Sequence, residues 1–214
     1  AVSPGELDTA ESPKNAQLTK RMPDAAATIG QGGLKRVPQA EGAQKRQTRI
    51  ARKEATRREL IEATIEAIAD GGLADLTLTR ITERADVSRG LVNFHFDSKE
   101  QLLVATLGFL TDEYRASWQK AIAKAGAAPA AQLTAIVRND FHPAICNRKK
   151  VAVWFAFRGE SKARPTYLEV CTRADDEFER TVHGLLAELA RDGGAEIDPR
   201  LVASGLQSMI EGLW

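Results

Sequence analysis

The chain has 214 residues, of which 43% are hydrophobic and 28% are charged, and its formal net charge is +1. This balance suits one or two globular domains, and the net charge by itself does not indicate a nucleic-acid-binding protein. No apolar run approaches the length of a transmembrane helix, no signal-peptide core is present, and two cysteines are too few for a disulfide framework or a metal site. We therefore predict a cytoplasmic protein that holds no metal and no cofactor.

The charge is unevenly distributed near the N-terminus. Residues 1–44 are rich in Ala, Gly, Pro, Ser and Gln and have no sustained apolar periodicity, so we predict that they form a disordered leader. The segment from Lys45 to Arg58 then carries seven basic residues and one acidic residue, Glu54. Such a cluster is typical of an arm that binds nucleic-acid phosphates, and Arg52 or its neighbours are expected to reach a DNA minor groove.

Three helices are predicted from the basic arm onwards. The first ends at Gly71-Gly72, because glycine readily adopts the left-handed conformation of a helix C-cap. The second covers residues 77–87, and the third covers residues 88–97. Two short helices joined by a tight turn form a helix-turn-helix, whose second helix can enter the DNA major groove. The apolar face of the first helix consists of Leu60, Ile61, Thr64, Ile65 and Ile68.

Side chains of the third helix have the chemistry of DNA recognition. Arg89, Asn93 and Phe94 are candidates for reading bases, because guanidinium and amide groups hydrogen-bond base edges and an aromatic ring contacts a thymine methyl. His95 is a further candidate for DNA contact, with a core position as the alternative, and Phe96 is expected in the core. Contacts to phosphates are expected from the basic arm and from Thr77, Ser88 and Lys99.

Every segment after residue 97 is also predicted to be helical. Ser98 followed by Gln101 is a capping-box pattern that opens a long fourth helix. The apolar run 151–157 has the composition of a buried strand, but no other strand candidate exists to pair with it, so we predict a helix. Pro165 opens another long helix with apolar residues at helical spacing. The last helix begins at residues 198–199 and is expected to be truncated, because the sequence stops there without a cap.

The last two helices carry apolar stripes larger than a small monomer leaves exposed. Packing these stripes against a second copy of the chain would form a symmetric helical bundle. The predicted interface residues are Phe178, Val182, Leu185, Leu206, Met209 and Leu213.

The segment 77–103 resembles the DNA-binding signature of TetR-family transcriptional repressors. The resemblance includes Gly90 and the aromatic-His-Phe run at 94–96. Two positions depart from the family pattern: Asp86 stands in the turn where the family usually has Gly, and Asn93 stands where many members have Tyr. Asp can adopt the left-handed backbone of such a turn at modest cost.

The resemblance implies an all-α fold with two domains. The first is a three-helix helix-turn-helix domain with its basic arm at residues 45–97. The second is a helical domain at residues 98–214 that binds a small-molecule effector and dimerises. In such proteins the last two long helices of each subunit build a four-helix dimer interface.

The segment 151–167 resembles the C-terminal domain of BetI-type repressors, which control choline-to-glycine-betaine genes and respond to choline. Aromatic faces and one carboxylate are what a quaternary ammonium group needs, and Glu160 is the candidate counter-charge. Arg158 stands where such proteins commonly carry Trp, and a cation there repels a cationic ligand if it faces inward. The alternative is that most of these aromatic residues are ordinary core. The effector-binding candidates are Tyr114, Trp118, Trp154, Phe157, Glu160 and Tyr167.

Two other classes of function fit the sequence less well. An enzyme is disfavoured because His95, His142 and His183 lie in no nucleophile or metal pattern, and the acids at 175–179 are expected to form a solvated helix face. A DNA-packaging protein without an effector is disfavoured by the large helical half after residue 110. The sequence therefore predicts a homodimeric repressor of a near-palindromic operator, released by choline or by a different effector of efflux or catabolic regulation.

Overall fold

The computed structural model describes residues 39–193 and 197–214, and these residues form eight α-helices and no strand. The predicted all-α fold is confirmed, and the apolar run 151–157 lies inside a helix. The helices are α1 (Gln39–Gly71), α2 (Leu78–Ala85), α3 (Arg89–His95), α4 (Lys99–Ala125), α5 (Pro129–Asp140), α6 (Arg148–Ser161), α7 (Pro165–Gly193) and α8 (Pro199–Leu213).

The basic arm is the N-terminal part of a long helix. The described part of α1 begins at Gln39, so residues 39–44, which we predicted to belong to the disordered leader, are helical instead. The rest of the predicted leader, residues 1–38, lies outside the described residues. The sequence has no apolar periodicity before residue 60 that would predict this helical extension. Once the buried turns after residue 60 have formed, however, each further residue adds one backbone hydrogen bond, so the helix can extend toward the N-terminus. The predicted apolar face is buried along its whole length, and Gly72, at φ +76°, follows the helix as expected.

Local capping defines the three short connections of the helix-turn-helix. The side-chain oxygens of Thr77, Ser88 and Ser98 accept hydrogen bonds from the first turns of α2, α3 and α4. Asp86 ends α2 in the left-handed conformation, at φ 51° and ψ 48°, and its backbone N–H bonds the carbonyls at the end of the helix. The turn that usually needs Gly is therefore formed by Asp.

A first hydrophobic core runs from the helix-turn-helix into the rest of the chain. Ile81 on α2 and Val92 on α3 pack with α1 and α4, and the same cluster continues to Phe157 on α6 and Tyr167 on α7. Each such side chain contributes about 1.5–3 kcal/mol when it is buried completely. The N-terminal helices are thus joined to the body by packing. The predicted domain boundary coincides with the start of α4 and stays a prediction.

A second core fills the space between α4, α5, α7 and α8, and it contains Trp118, Ile136, Phe178, Val182 and Leu186. Phe178 and Val182 are 4% and 1% exposed, so the prediction that they lie in the dimer interface is wrong for this protomer. The apolar stripe of α7 is wide, and its inner half packs on α4 and α5.

The other predicted interface residues divide into two groups. Leu185 and Leu206 are half-buried against the second core, whereas Met209 and Leu213 on α8 are 65% and 69% exposed. Only the outer pair is therefore free to meet a partner without loss of intramolecular packing.

No helix in the described residues combines the length and apolar character needed to cross a membrane.

Candidate DNA interface and effector cavity

The face of α3 that points away from the core is polar and exposed. Arg89, Gly90, Asn93 and Phe94 are exposed, whereas Val92 is buried. Phe94 is 65% exposed, which is unusual for a large apolar side chain. An exposed aromatic ring on the same short helix as an exposed amide and an exposed guanidinium group fits a surface that contacts base edges and thymine methyl groups.

The Arg89 side chain is held by a neighbouring helix. Its Nη2 atom donates a hydrogen bond of 3.1 Å to the hydroxyl oxygen of Thr79 on α2. A guanidinium group has five N–H donors, so most of them remain available to an acceptor such as a guanine edge. The contact restrains the arginine beside Asn93 before any DNA arrives.

The basic part of α1 lies beside α3 and extends the same surface. The Lys53 ammonium is 5.6 Å from the centre of the Phe94 ring, and the Arg57 guanidinium is 5.0 Å from that of Phe96. Arg52 and Arg49 are exposed on the N-terminal part of the same helix. The arm therefore presents its cations from a rigid helix rather than from an extended segment.

Three predicted phosphate contacts cluster around helix N-termini. The Thr77 and Ser88 oxygens each accept a bond from a backbone N–H, which leaves the hydroxyl hydrogen free to donate to a phosphate. The Lys99 ammonium donates to the Leu76 carbonyl, next to Thr77. Backbone N–H groups at a helix start favour anions, so this arrangement suits the DNA backbone.

His95 occupies a position between surface and core. Its ring meets Phe94 edge-to-face at 5.2 Å between ring centres, and it is half-buried. Burial, followed by the charge of Lys53, lowers the pKa of His95. A neutral imidazole that contacts Phe94 supports the exposed ring, and a direct DNA contact from His95 stays a prediction.

A narrow cavity of about 20 Å³ lies between α4, α6, α7 and α8. Three aromatic side chains from α4, α6 and α7 line it, together with that of Trp214, which follows α8, and so do one basic and two acidic side chains. A second cavity of about 30 Å³ shares three of the aromatic residues and adds Ile145 of the α5–α6 connection. The aromatic and charged residues of the first cavity are Tyr114, Trp154, Arg158, Asp175, Phe178, Glu211 and Trp214.

The aromatic rings stand at angles to one another rather than in a stack. The centre of the Tyr114 ring is 5.8 Å from that of Phe178 and 6.2 Å from that of Trp214, and the second pair is nearly perpendicular. Rings at these distances and angles pack against one another, so the aromatic side chains form a closely packed wall of the cavity.

Arg158 faces the cavity, but its charge is more than balanced. Its Nη2 atom lies 2.7 Å from Asp175 and 3.1 Å from Glu211, so the three groups carry one net negative charge when ionised. Burial opposes the charge of Arg158, yet these two acids raise its pKa. Burial raises the pKa of Asp175, and Arg158 opposes that shift. The guanidinium also covers one face of Trp154, at 5.4 Å from the ring centre.

The predicted effector-binding residues do not converge on one cavity. Phe157 and Tyr167 are completely buried and meet edge-to-face in the first core, whereas Trp118 packs against Phe178 in the second core. Of the predicted effector-binding residues, Tyr114 and Trp154 line the cavity. The prediction failed because the aromatic stripes of α4, α6 and α7 each have an inner side that belongs to a core.

Glu160 is not the counter-charge of the cavity. Its carboxylate lies 3.5 Å from Arg164, which also binds Glu100 at the start of α4 at 2.9 Å. The Tyr167 hydroxyl donates to the same Glu100 carboxylate at 3.3 Å. Glu160 and Tyr167 therefore belong to a polar contact between α6, α7 and the beginning of α4.

The acids of the cavity were missed because they come from segments that resemble solvated helix faces. Asp175 was expected outside with its neighbours, but it pairs with Arg158, and Glu177 pairs with Arg115 at 2.7 Å. Glu211 lies on α8 and Trp214 directly follows this helix, far away in sequence from the segment that resembles an effector domain. No group of residues in the described ranges has the composition of a metal site.

An exposed helix-turn-helix joined to a helical body with an internal cavity is the architecture of a ligand-responsive transcriptional regulator. Residues 60–106 match the family model of bacterial regulatory proteins of the tetR family, and residues 129–214 match that of the BetI-type transcriptional repressor C-terminal domain. The chain belongs to the TetR family and carries a BetI-type C-terminal domain; it is a DNA-binding repressor and not an enzyme. Regulators of this family bind operator DNA and small-molecule effectors, typically as dimers.

Relatives agree with this assignment over most of the chain. The chain is 35% identical over 170 residues to the HTH-type transcriptional regulator BetI of Paraburkholderia phymatum, covering 78% of this chain and 83% of the relative. A transcriptional regulator of Pseudomonas aeruginosa PAO1 has 28% identity and a TM-score of 0.69, covering 75% of this chain and 78% of that one. A regulator of Saccharomonospora viridis, solved in complex with choline, has 20% identity and a TM-score of 0.64, covering 75% and 83%.

Proposed function

We propose that this repressor is released from its operator by a small quaternary ammonium compound, with choline as the first candidate, and that it controls genes of choline and glycine betaine metabolism. The observation that carries the proposal is the cavity lined by aromatic residues with one net negative charge. The name BetI of the 35% identical relative and the choline complex of the structural neighbour support the same class of effector.

The cavity has the chemistry that a trimethylammonium group requires, and its walls must move apart to admit one because it encloses only about 20 Å³. A cation gains about 0.5–2 kcal/mol from each aromatic face that it approaches, and more when water is excluded. Tyr114, Phe178 and Trp214 line the cavity, whereas one face of Trp154 is occupied by Arg158. Arg158, Asp175 and Glu211 together carry one net negative charge, which attracts the cationic ligand. The proposed counter-charge is therefore Asp175 with Glu211.

Calorimetry with choline and ethanolamine tests the proposal. We expect wild-type protein to bind choline more tightly, because the smaller and better hydrated ammonium of ethanolamine fills less of the cavity. Trp154→Ala removes one wall and should weaken choline binding about tenfold. Phe155→Ala is the matched control, since Phe155 is an exposed aromatic residue on the same helix. No preference for choline in the wild type would leave a TetR-type repressor with a different effector.

Effector binding is proposed to act through α4. Tyr114 belongs to α4, and the same helix begins directly after the helix-turn-helix. An effector that binds better to one position of α4 increases the population of dimers with that position. In those dimers the two helix-turn-helix domains would be wrongly spaced for successive major grooves. α6 offers a parallel connection, because Lys149 on α6 lies 2.7 Å from Glu66 on α1.

The dimer is proposed to form through the outer face of α8 and its neighbour α7. Leu201, Met209 and Leu213 are spaced by multiples of four residues and are each more than 60% exposed. Gly205 falls on the same face, where the absence of a side chain permits close approach of a second helix. A symmetric partner would cover this stripe and place two α3 helices on one near-palindromic operator.

Release from the operator is tested with a DNA sequence that the purified protein has selected from a random library. We expect fluorescence anisotropy to show that choline lowers affinity for the selected sequence, with a much smaller effect from ethanolamine. Binding of DNA that is unaffected by saturating choline would contradict the release mechanism even if calorimetry shows choline in the protein.

A further inference from the structure

Asp140, the last residue of α5, is buried in an unfavourable setting. It is the one carboxylate in the described residues that is completely shielded from solvent. Its Oδ1 atom accepts a hydrogen bond of 2.8 Å from the Tyr114 hydroxyl, whereas its Oδ2 atom is buried without a hydrogen-bond partner. The C-terminal end of a helix also carries partial negative charge, which disfavours an anion there.

A buried acid with one unsatisfied oxygen reduces stability, so its presence calls for a functional reason. Tyr114 provides that reason, because its ring forms a wall of the effector cavity and its hydroxyl contacts Asp140 on the other side. The phenol therefore connects a buried acid to the space where a ligand would sit.

Charged groups face Tyr114 from both cavities, and Glu113 on α4 and Lys150 on α6, which form an ion pair of 2.7 Å, line the second one. Arg158 on α6, Asp175 on α7 and Glu211 on α8 line the first cavity on the ring side of Tyr114. Burial raises the pKa of Asp140 to about 6, and the hydrogen bond from Tyr114 opposes this shift. Burial, followed by the charge of Asp140, also raises the pKa of Tyr114, so this hydroxyl stays a donor at neutral pH.

We infer that Asp140 is a positioning residue for a cationic effector: it holds Tyr114 as the cavity wall, and the arrival of the cation releases a proton from the Asp140 carboxyl group to solvent. This inference rests on the proposed function, because it needs a cation in the same cavity. A hydroxyl that donates to a carboxylate makes its aromatic ring richer in electrons, which strengthens the attraction of the ring for a cation.

The sign of the pH dependence follows from linkage. A cation stabilises the ionised form of Asp140, so bound protein has a lower Asp140 pKa than free protein. Choline affinity should therefore rise as pH increases through about 6. A reduction of the pKa by about one unit corresponds to about tenfold higher affinity above the titration than below it. It also corresponds to release of about half a proton per ligand near pH 5.5.

The experiment is calorimetry of full-length protein with choline chloride from pH 5 to 7.5, in buffers of different ionisation enthalpy. Wild-type protein should show about fivefold higher affinity at pH 7.5 than at pH 5, since pH 5 does not lie below the whole titration, and a proton release of about one half near pH 5.5. Asp140→Asn keeps an oxygen that accepts from Tyr114, and it should bind choline with no proton release and a flat pH profile. Tyr114→Phe keeps the ring but removes the hydrogen bond, so its profile should shift to higher pH.

The outcomes separate this inference from the proposed function. Choline binding with a flat wild-type profile, or proton release that persists in Asp140→Asn, overturns the role of Asp140 and leaves the effector assignment intact. No choline binding at any pH overturns both. If Asp140→Asn fails to fold, the pH profile of choline affinity is compared between the wild type and Tyr114→Phe. A Tyr114→Phe profile that is not shifted to higher pH overturns the inference.

Discussion

The helix-turn-helix and the helical body arrange their functional residues in opposite ways. On α3 the candidate contacts are exposed side chains of one short helix, and the buried residues Val92 and Phe96 fix that helix from behind. In the body the candidate contacts face an internal cavity, and they come from α4, α6, α7 and α8. One surface is therefore defined by seven consecutive residues, whereas the other exists only after four helices have packed.

The largest expected effect is a loss of stability at Phe157, and it distinguishes a residue of the core from a residue of the effector cavity. Phe157→Ala removes a completely buried ring and should lower the free energy of unfolding by about 3–5 kcal/mol. Phe155→Ala, on the exposed side of the same helix, should change it by about 0.5 kcal/mol or less. Urea denaturation followed by circular dichroism measures both. A stable Phe157→Ala protein that has lost choline binding would show that Phe157 belongs to the effector site after all.

The next effect concerns the outer face of α8. Met209→Glu places a charge in the proposed dimer stripe and should give monomers, whose operator affinity falls about 100-fold because two heads no longer bind together. Sedimentation velocity and fluorescence anisotropy measure the two changes. Thr134→Glu introduces the same charge at an exposed position on α5 and should remain dimeric. A dimer that survives Met209→Glu would place the interface on another surface.

The difference between the two regions also explains what sequence could predict. The caps at Ser88 and Ser98 and the turn at Asp86 depend on residues within four positions of one another, so the helix-turn-helix was predicted with its surface residues. The long basic helix was not, because no apolar periodicity marks residues 39–59. Local patterns thus predicted which residues of α3 are exposed, as the proposed DNA-binding face requires, but not the conformation of the basic arm.

The cavity could be predicted only in part. Tyr114 and Trp118 lie four residues apart on α4, yet the first lines the cavity and the second is core. Their chemistry and spacing are alike, and the choice depends on where α7 and α8 cross α4. Glu211 lies on the last described helix and Trp214 follows it, and no motif connects them with the segment around Trp154. Long-range packing of this kind has no signal in a single sequence.

A third prediction compares two positions in the DNA-binding surface. Arg89→Ala should reduce the discrimination between bases by about 1–3 kcal/mol at one base pair, since a guanidinium group can donate two hydrogen bonds to one guanine edge. Lys53→Ala should weaken binding to all sequences and reduce the salt dependence by about one counterion, since an ammonium near the phosphates carries no sequence information. Anisotropy on a set of operator variants at several salt concentrations distinguishes them. Unaltered ranking in Arg89→Ala would remove it from base reading.

The smallest effect is expected at Gly90, and it separates stability from function at a single residue. A Cβ atom at this position would meet the Ser88 hydroxyl at 3.8 Å, which is ordinary contact, so nothing inside the protein requires glycine here. Alanine has the higher helix propensity, and Gly90→Ala should therefore stabilise the fold by about 0.5–1 kcal/mol. On the exposed face of α3, however, a methyl group would hold the helix away from DNA.

Operator affinity of Gly90→Ala should consequently fall while its unfolding midpoint rises. Thermal unfolding and anisotropy on the same preparation measure the pair of changes. The control is Gly108→Ala on α4, where a Cβ atom has no neighbour within 4 Å, and it should leave operator affinity unchanged. If Gly90→Ala binds the operator as tightly as wild type, the N-terminal turn of α3 does not approach DNA closely. Recognition would then depend on the side chains of Asn93 and Phe94 at the other end of the helix.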